Sequence, residues 1–252
     1  MPKIPVALQL YTIRDACNED FVGALKSVSD IGYAGVELTG DGGLPHKELS
    51  SLLADLNLQV AGCHVSLANL ENELNIALDM NEAVGNRRIV CPWLPPERRI
   101  NEDDYKALAA SLSEIGSRCK ERGFQLYYHH HDFEFIRFNG SYAIDTLFES
   151  VSDNLLRAEL DTYWIEVAGE KASEFIQKYS GKVDLVHLKD RLEFRDPPFA
   201  EVGEGTLDFP QIFRACDDAE IDWYIVEQDR CPANPLESAR RSFRNLKMWG
   251  KA

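Results

Sequence analysis

The stretch NEDDYKALAASLSEIGSRCKERGFQLYYHHH, residues 101–131, contains one complete helix–strand unit. Asn101 is suited to cap a helix, Asp103 falls in its first turn, and Gly123 follows its end. The run FQLYYHH at 124–130 comes next, is rich in strand-forming residues and ends in histidines. A helix followed at once by a short strand is typical of a βαβ unit. This stretch therefore predicts a parallel sheet.

The same alternation extends in both directions along the chain. The other strand-like runs are VALQLY (6–11), GVELT (35–39), QVAGCHV (59–65), RRIVCPW (87–93), LRAELD (156–161), VDLVHLKD (183–190) and WYIVEQD (223–229). Helical spacing of apolar residues lies between them. The predicted helices span residues 20–32, 47–56, 70–84, 101–123, 141–151, 171–179, 209–218 and 235–249. Eight strands alternating with eight helices predict a closed (β/α)₈ barrel.

The length and the glycine pattern favour the same fold. The chain has 252 residues, close to the roughly 250 residues of a typical (β/α)₈ TIM barrel. We therefore expect one α/β domain over residues 1–252. A dinucleotide-binding fold lacks its main support, because no Gly-x-Gly-x-x-Gly motif follows the first strand.

The charge balance excludes several classes of partner. The chain has 27 Lys+Arg against 42 Asp+Glu, a net charge of −15. Such an excess of acid opposes binding to nucleic-acid phosphates and to anionic membrane surfaces. No apolar stretch approaches the ~18–20 residues of a membrane span, and none resembles a signal peptide. The six cysteines form no CxxC pair, which is typical of reduced thiols. We expect a cytoplasmic protein without nucleic-acid or membrane partners.

Ionisable side chains collect at the last residues of the predicted strands. In a (β/α)₈ barrel the carboxyl ends of the strands form the rim that carries the active site. The strand-end residues include Glu37, His64, His129, His130, His131, Glu159, Asp161, His187, Lys189, Glu227 and Asp229. Residues two apart share a face of a strand, so we expect His129 and His131 together and His130 pointing away. Carboxylates and imidazoles without thiolates suit Mn²⁺, Mg²⁺, Co²⁺, Zn²⁺ or Fe²⁺, and a cation would offset their repulsion.

Several of these positions also have a structural interpretation. Glu37, His64, Glu159 and Asp229 can each be a satisfied polar group at a strand end. Trp164 lies three residues beyond Asp161, in a predicted loop at the barrel mouth. We weigh packing and stacking on a sugar ring equally for this residue.

The glycine-bearing segment FAEVGEGTLDFPQIF, residues 199–213, precedes a predicted helix. Its backbone N–H groups can bind phosphate, or the segment can be a tight turn or lid. The acidic Glu201 and Glu204 count against phosphate, so we favour a structural or lid role.

Five motifs in order carry a family resemblance. They are YHHHDFEF (128–135), ELDTYWIEVAG (159–169), HLKD (187–190), EVGEGTLDF (201–209) and IVEQD (225–229). Essentially the whole chain resembles the sugar phosphate isomerase/epimerase superfamily of xylose isomerase-like barrels. The histidine-rich fifth strand is similar to the inosose dehydratase-like branch and its His-Asn-His signature. His130 replaces the Asn here, with little expected consequence because it points away.

The resemblance implies one divalent metal ion on four ligands from strands five to eight. Asp161, His187 and Glu227 match the last three ligands of the family. The first, usually a Glu, falls at His129, so we take His129 as the fourth ligand and Glu134 as its rival. This departure separates the chain from the two-carboxylate catalytic pair of the epimerases.

The resemblance also implies proton abstraction next to a carbonyl of a sugar or polyol. The metal would stabilise an enediolate as a Lewis acid. Glu227 or His131 would exchange the proton, and Lys189 would stabilise developing negative charge. The expected substrate contacts are Glu37, His64, Glu134, Trp164 and Arg191.

The same apparatus serves more than one reaction. We expect a metal-dependent isomerase or epimerase, with a lyase or dehydratase of inososes or 3-keto sugars as the alternative. A non-catalytic sugar-binding barrel is the alternative from another class. A nuclease similar to endonuclease IV ranks lower, because the net charge of −15 opposes a DNA-binding face. Homodimers are common in the family, although the sequence marks no interface.

Overall fold

Eight parallel strands close into a barrel in the computed structural model, which describes residues 3–192, 194, 198–232 and 234–252. The strands are β1 (Val6–Gln9), β2 (Gly35–Leu38), β3 (Gln59–His64), β4 (Arg88–Cys91), β5 (Gln125–His129), β6 (Leu156–Asp161), β7 (Val183–Leu188) and β8 (Trp223–Val226). Each strand pairs with its neighbour in chain order, and β8 closes the ring on β1. The predicted (β/α)₈ barrel is confirmed.

Helices alternate with the strands and pack against them. They are α1 (Arg14–Glu19), α2 (Phe21–Ile31), α3 (His46–Asp55), α4 (Leu67–Asn72), α5 (Leu74–Ala83), α6 (Glu102–Glu121), α7 (Ala143–Ser150), α8 (Thr162–Val167), α9 (Ala172–Lys178), α10 (Phe209–Ala219) and α11 (Pro235–Met248). Short 3₁₀ turns cover Leu10–Ile13, Pro96–Arg98 and Phe133–Phe135. Two small antiparallel ribbons pair Arg137–Phe138 with Ser141–Tyr142 and Asp190–Arg191 with Phe199–Ala200.

Two helical segments differ from the sequence prediction. The helix predicted over residues 70–84 is two helices, α4 and α5, that meet at Glu73. The segment after β6 was expected to be a loop but forms α8 directly. Its cap is Asp161, whose Oδ1 accepts hydrogen bonds from the N–H groups of Tyr163 (2.9 Å) and Trp164 (3.3 Å).

The interior of the barrel has an apolar floor beneath a polar layer. The floor consists of buried side chains from several strands: Ala7, Ala61, Val90, Tyr127, Leu185, Trp223 and Ile225. Two residues further along the same strand faces come Gln9, His129, His187 and Glu227. Because side chains alternate across a strand, these polar groups point into the same interior. The polar layer therefore lies at the carboxyl ends of the strands.

None of the six cysteines forms a disulfide, in agreement with the prediction of unpaired thiols. Among the residues that the structure describes, no helix is both long enough and apolar enough to cross a bilayer.

Candidate active site

The ionisable residues at the strand ends meet in one cluster inside the barrel mouth. His64 is partly buried, and the other members are at most 5% exposed. The cluster consists of Glu37, His64, His129, Glu159, Asp161, His187, Lys189 and Glu227. Among these, Glu37 and Glu159 both lie at register shifts between neighbouring strands. The extra residue of each shift is on the partner strand, Ala61 in β3 and Asp184 in β7, and such bulges are common next to active sites.

His187 occupies the centre of this cluster. Its Nε2 lies 2.8 Å from Glu37 Oε2 and 3.0 Å from Glu159 Oε1. Its Nδ1 lies 2.9 Å from Glu227 Oε2. The ring therefore joins the carboxylates of Glu37 and Glu159, which lie deeper in the barrel, to that of Glu227 at its rim.

His129 makes the same kind of bridge from β5. Its Nδ1 lies 2.9 Å from Glu159 Oε1, and its Nε2 lies 3.8 Å from Asp161 Oδ2. Two groups with spacing suited to a metal ion result, each with its ligand atoms within 4.8 Å of one another. We call His129, Asp161, His187 and Glu227 the rim set, and His64, His129, Glu159 and His187 the lower set. The rim set contains the four residues predicted as metal ligands.

Lys189 places a buried ammonium group among the rim carboxylates. Its Nζ lies 2.9 Å from Asp161 Oδ2, 2.7 Å from Glu227 Oε2 and 2.8 Å from Asp229 Oδ2. Burial opposes its charge, but these three carboxylates raise the pKa of Lys189 well above its ordinary value. Burial raises the pKa of Asp161 to about 6 despite the opposing effect of Lys189. The sequence leaves the role of Asp229 open, and the structure makes this carboxylate a partner of Lys189.

The lower carboxylates are offset by imidazolium groups. Burial opposes ionisation of Glu37, but His64 and His187 lower its pKa well below the ordinary value. In return Glu37 and Glu159 raise the pKa of His64 to about 10 against the effect of burial. Gln9 Nε2 also donates to Glu37 Oε2 at 2.7 Å. The negative charge of Glu37 is therefore offset by imidazolium groups within the cluster itself.

A glycine provides the space that Glu37 needs. Gly62 lies opposite Glu37 in the pairing of β2 with β3. A Cβ atom at Gly62 would lie 2.6 Å from Glu37 Oε1, closer than real contacts allow. The missing side chain therefore lets a full-length glutamate enter the barrel here.

His130 points away from the pocket, as predicted, but it supports the site. Its Nδ1–H donates to the His131 carbonyl at 3.1 Å, and its Nε2 accepts the backbone N–H of Asp161 at 3.0 Å. Burial lowers the pKa of His130 to about 4, so the ring is neutral. This neutral ring ties the end of β5 to the end of β6.

His131 returns to the pocket side and sits among aromatic rings. Its ring is nearly parallel to Phe133 at 5.3 Å and tilted against Trp164 at 5.3 Å. Its Nδ1 is buried without a hydrogen-bond partner. Burial, and then the nearby Lys189, lower the pKa of His131 well below its ordinary value, which keeps the ring neutral.

A pocket of about 560 Å³ opens above the cluster. That size is suited to a small polar ligand. Its walls are Tyr11, Thr39, His64, Pro92, Trp93, His129, His131, Lys189, Glu227 and Asp229. Tyr11 and Trp93, both 44% exposed, were not predicted as contacts, although both follow strand ends in the sequence.

The expected substrate contacts divide into two groups. His64 lines the pocket, whereas Glu37 has no exposed surface and lies beneath the lining. Trp164 belongs to α8 and packs behind His131, outside the lining. Arg191 lies in the ribbon after β7, where its carbonyl accepts the Thr206 N–H at 2.9 Å. Of the five expected contacts, the geometry thus favours His64.

Glu134, the rival ligand and expected contact, lies behind the pocket wall. Its Oε1 accepts the Tyr128 hydroxyl at 2.6 Å, and its Oε2 accepts the His131 N–H at 2.8 Å. Burial raises the pKa of Glu134 to about 7. Neither set with metal-like spacing among the described residues includes it. The 3₁₀ turn Phe133–Phe135 carries this side chain away from the rim and towards Tyr128.

The glycine-bearing loop is occupied by a carboxylate of the chain itself. Asp190 Oδ2 accepts the N–H groups of Gly203 (2.9 Å) and Gly205 (2.8 Å). Its Oδ1 accepts those of Arg191 (2.8 Å) and Leu207 (3.2 Å). The amides considered for phosphate are therefore already used, which favours the structural interpretation of the loop.

A profile of the xylose isomerase-like TIM barrel family matches residues 25–249. The chain belongs to this family. As a family member it is also similar to a solved sugar phosphate isomerase/epimerase from Parabacteroides distasonis. That comparison has a TM-score of 0.84 and 23% identity, and covers 98% of this chain and 94% of the other. At this sequence identity the similarity shows a shared fold only.

Curated relatives from several bacteria are named inosose dehydratase. The protein from Clostridium perfringens is 34% identical over 167 residues, which is 59% of this chain and 56% of the relative. The protein from Clostridium botulinum is 26% identical over 266 residues, 90% of this chain and 89% of the relative. The first match therefore spans little more than half of its relative, and the second spans most of both chains.

Proposed function

We propose that this family member is an enzyme that removes the elements of water from a keto-polyol such as an inosose. The observation that supports this is a buried carboxylate–imidazole–ammonium cluster that opens into one polar pocket. The similarity to inosose dehydratases over 90% of the chain ranks dehydration ahead of isomerisation and epimerisation. The alternative reaction of the sequence analysis thus becomes our first choice.

His131 is our candidate for the base that takes the proton next to the carbonyl. It is neutral, lines the pocket and has a buried Nδ1 without a partner. The same group then returns the proton to the leaving hydroxyl, so that a C–H and a C–O bond break and water leaves. Glu227 is the other candidate for the base. It is ionised and can accept a proton, but Lys189 and His187 lower its pKa against the effect of burial and so make it a weaker base.

Lys189 is our candidate for stabilising the negative charge that develops on the substrate oxygen. Its ammonium is almost completely buried and reaches the pocket beside Glu227. A fixed positive charge in a water-poor site stabilises an enolate oxygen without reorganisation. Asp161 and Asp229 hold this ammonium in place.

The rim set fits a divalent metal by its donor chemistry, two imidazoles and two carboxylates without thiolate. His129, Asp161, His187 and Glu227 would hold it, and a cation bound there would supply Lewis-acid polarisation of the carbonyl. Asp161 is prepared for this role, since one oxygen caps α8 and the other faces the cluster.

The test is the mass of the product. Purified protein is incubated with Co²⁺ or Mn²⁺ and a keto-inositol, and in parallel with keto-hexoses. A product lighter by one water supports dehydration. An unchanged mass with a new sugar would move the assignment to isomerase or epimerase. Ligand binding without turnover under all metals would favour a non-catalytic sugar-binding barrel.

A further inference from the structure

The lower set surrounds one carboxylate oxygen with three imidazoles. Glu159 Oε1 lies 2.9 Å from His64 Nε2, 2.9 Å from His129 Nδ1 and 3.0 Å from His187 Nε2. Ligand atoms about 2.1 Å from a transition metal lie roughly 3.0–3.4 Å from one another. The three distances from Glu159 Oε1 are therefore close to those between neighbouring ligands of a coordination shell, and all four ligand atoms lie within 4.8 Å of one another.

Glu37 adds a second carboxylate on the same side. Its Oε2 lies 3.1 Å from His64 Nε2 and 2.8 Å from His187 Nε2. Glu37 Oε1 and Glu159 Oε2 are buried and have no hydrogen-bond partner. Buried carboxylate oxygens are normally satisfied, so the lower layer has acceptor capacity that the chain itself does not use.

The rim set differs because a cation of the chain already holds it. Lys189 Nζ lies within 2.9 Å of a carboxylate oxygen on both Asp161 and Glu227. No lysine or arginine pairs with Glu37 or Glu159 in the described part of the chain. Positive charge in the lower layer comes from histidines alone, and these can exchange a proton for a metal ion.

We propose that the lower set is a second cation position, which binds a transition metal while Lys189 holds the rim carboxylates. Three imidazoles and a carboxylate favour Zn²⁺, Co²⁺ or Fe²⁺ over Mg²⁺ and Ca²⁺. His129 and His187 belong to both sets through opposite ring nitrogens. A neutral imidazole has one free lone pair, so the two positions are alternatives and not a two-metal centre. Entry is from the pocket, which His64 lines.

The first test is a Co²⁺ titration of metal-stripped protein, followed by visible absorption. His64→Asn and Glu159→Gln change the lower set alone, whereas Asp161→Asn and Glu227→Gln change the rim set alone. We expect the lower-set variants to bind Co²⁺ at least tenfold more weakly and the rim variants to stay within threefold of the unsubstituted protein. The reverse pattern, or no Co²⁺ binding by the unsubstituted protein, would overturn the proposal.

The second test needs no variant and is independent of folding defects. X-ray absorption of the Co²⁺-loaded protein counts imidazole ligands. Three imidazoles support the lower set, and two overturn it in favour of the rim set. The outcome does not depend on the proposed reaction, since a protein that fails the product-mass test can still show three imidazoles.

Discussion

Asp190 and Glu159 are both buried carboxylates near the carboxyl ends of strands, but their partners differ. Asp190 accepts four backbone N–H groups, two on each oxygen. Glu159 directs one oxygen at three histidines, and its other oxygen has no partner. Asp190 holds a loop in one conformation, whereas Glu159 faces groups that can gain or lose protons.

The difference separates structural acids from site acids better than burial does. Fixed amide donors saturate a carboxylate and cannot leave it, so such a group contributes to stability. Titratable partners leave a carboxylate able to meet a cation or a substrate. Substitution of a site acid should therefore change activity, and substitution of a saturated acid should change stability.

The largest effect is expected for Glu227→Gln. Glu227 contacts both His187 and Lys189 and lines the pocket, so its loss removes the other candidate for proton exchange and a partner of the ammonium group. We expect kcat for keto-inositol dehydration to fall about 10²–10⁴-fold. Steady-state kinetics measures this, with the exposed Glu149→Gln as control. Activity near that of the control would remove Glu227 from the site acids.

Asp190→Asn should show the opposite behaviour. The new amide nitrogen faces the N–H groups of Gly203 and Gly205, which both lose their hydrogen bond to a charged acceptor. We expect a loss of about 3–5 kcal/mol in the free energy of unfolding. Urea denaturation measures it, with Asp55→Asn on the exposed side of α3 as the matched control. A loss below 1 kcal/mol would show that the saturated amides contribute little.

Glu134 is a buried acid outside the cluster, and its effect on stability should depend on pH. Its pKa is raised from 4.5 to about 7 in the folded protein, mainly by burial. The folded protein therefore keeps a proton that the unfolded chain releases. The contribution of protonated Glu134 to the free energy of unfolding is fully present below pH 4.5 and is lost as the pH rises to about 7. The shift corresponds to on the order of 3 kcal/mol.

In Glu134→Gln this dependence should disappear, because the amide carries no charge. The measurement is the free energy of unfolding of both proteins between pH 4.5 and 8. The difference between them should grow with pH in favour of the variant. Parallel curves would mean that the pKa of Glu134 is not raised in the folded protein.

The smallest effect is expected for two substitutions of His130, the middle residue of the histidine run. Gln at position 130 can still accept the Asp161 N–H, and Asn can still donate to the His131 carbonyl. Each variant loses one neutral hydrogen bond, so we expect about 1 kcal/mol of destabilisation from either. His130→Asn should also lower kcat for keto-inositol dehydration more than His130→Gln, since only Asn releases the backbone of Asp161. Equal kcat values would limit His130 to packing.

The barrel and the convergence of its rim were predictable because periodicity and strand ends are local signals. Eight strand-like runs coincide with β1–β8, and alternation placed Glu159 below Asp161. Helix α8 was missed because Thr162, Tyr163 and Trp164 are weak helix formers. The Asp161 cap and packing against the barrel outweigh that preference.

The partners of individual acids could not be read from the sequence. Glu134 follows the histidine run closely enough to resemble a ligand, yet a single 3₁₀ turn directs it to Tyr128. Asp190 meets amides 13 to 17 residues further along the chain. Both outcomes depend on how loops close in three dimensions, which local spacing does not encode.

Gly62 carries a consequence for how relatives of this protein diverge. Glu37 and a side chain at position 62 compete for the same volume, since a Cβ there would meet the Glu37 carboxylate. The two positions should therefore be inherited as a pair. Homologues with a larger residue at the position of Gly62 should have lost the long acid at the position of Glu37. Relatives that have a glutamate at the position of Glu37 and also a larger residue at the position of Gly62 would need a wider barrel mouth.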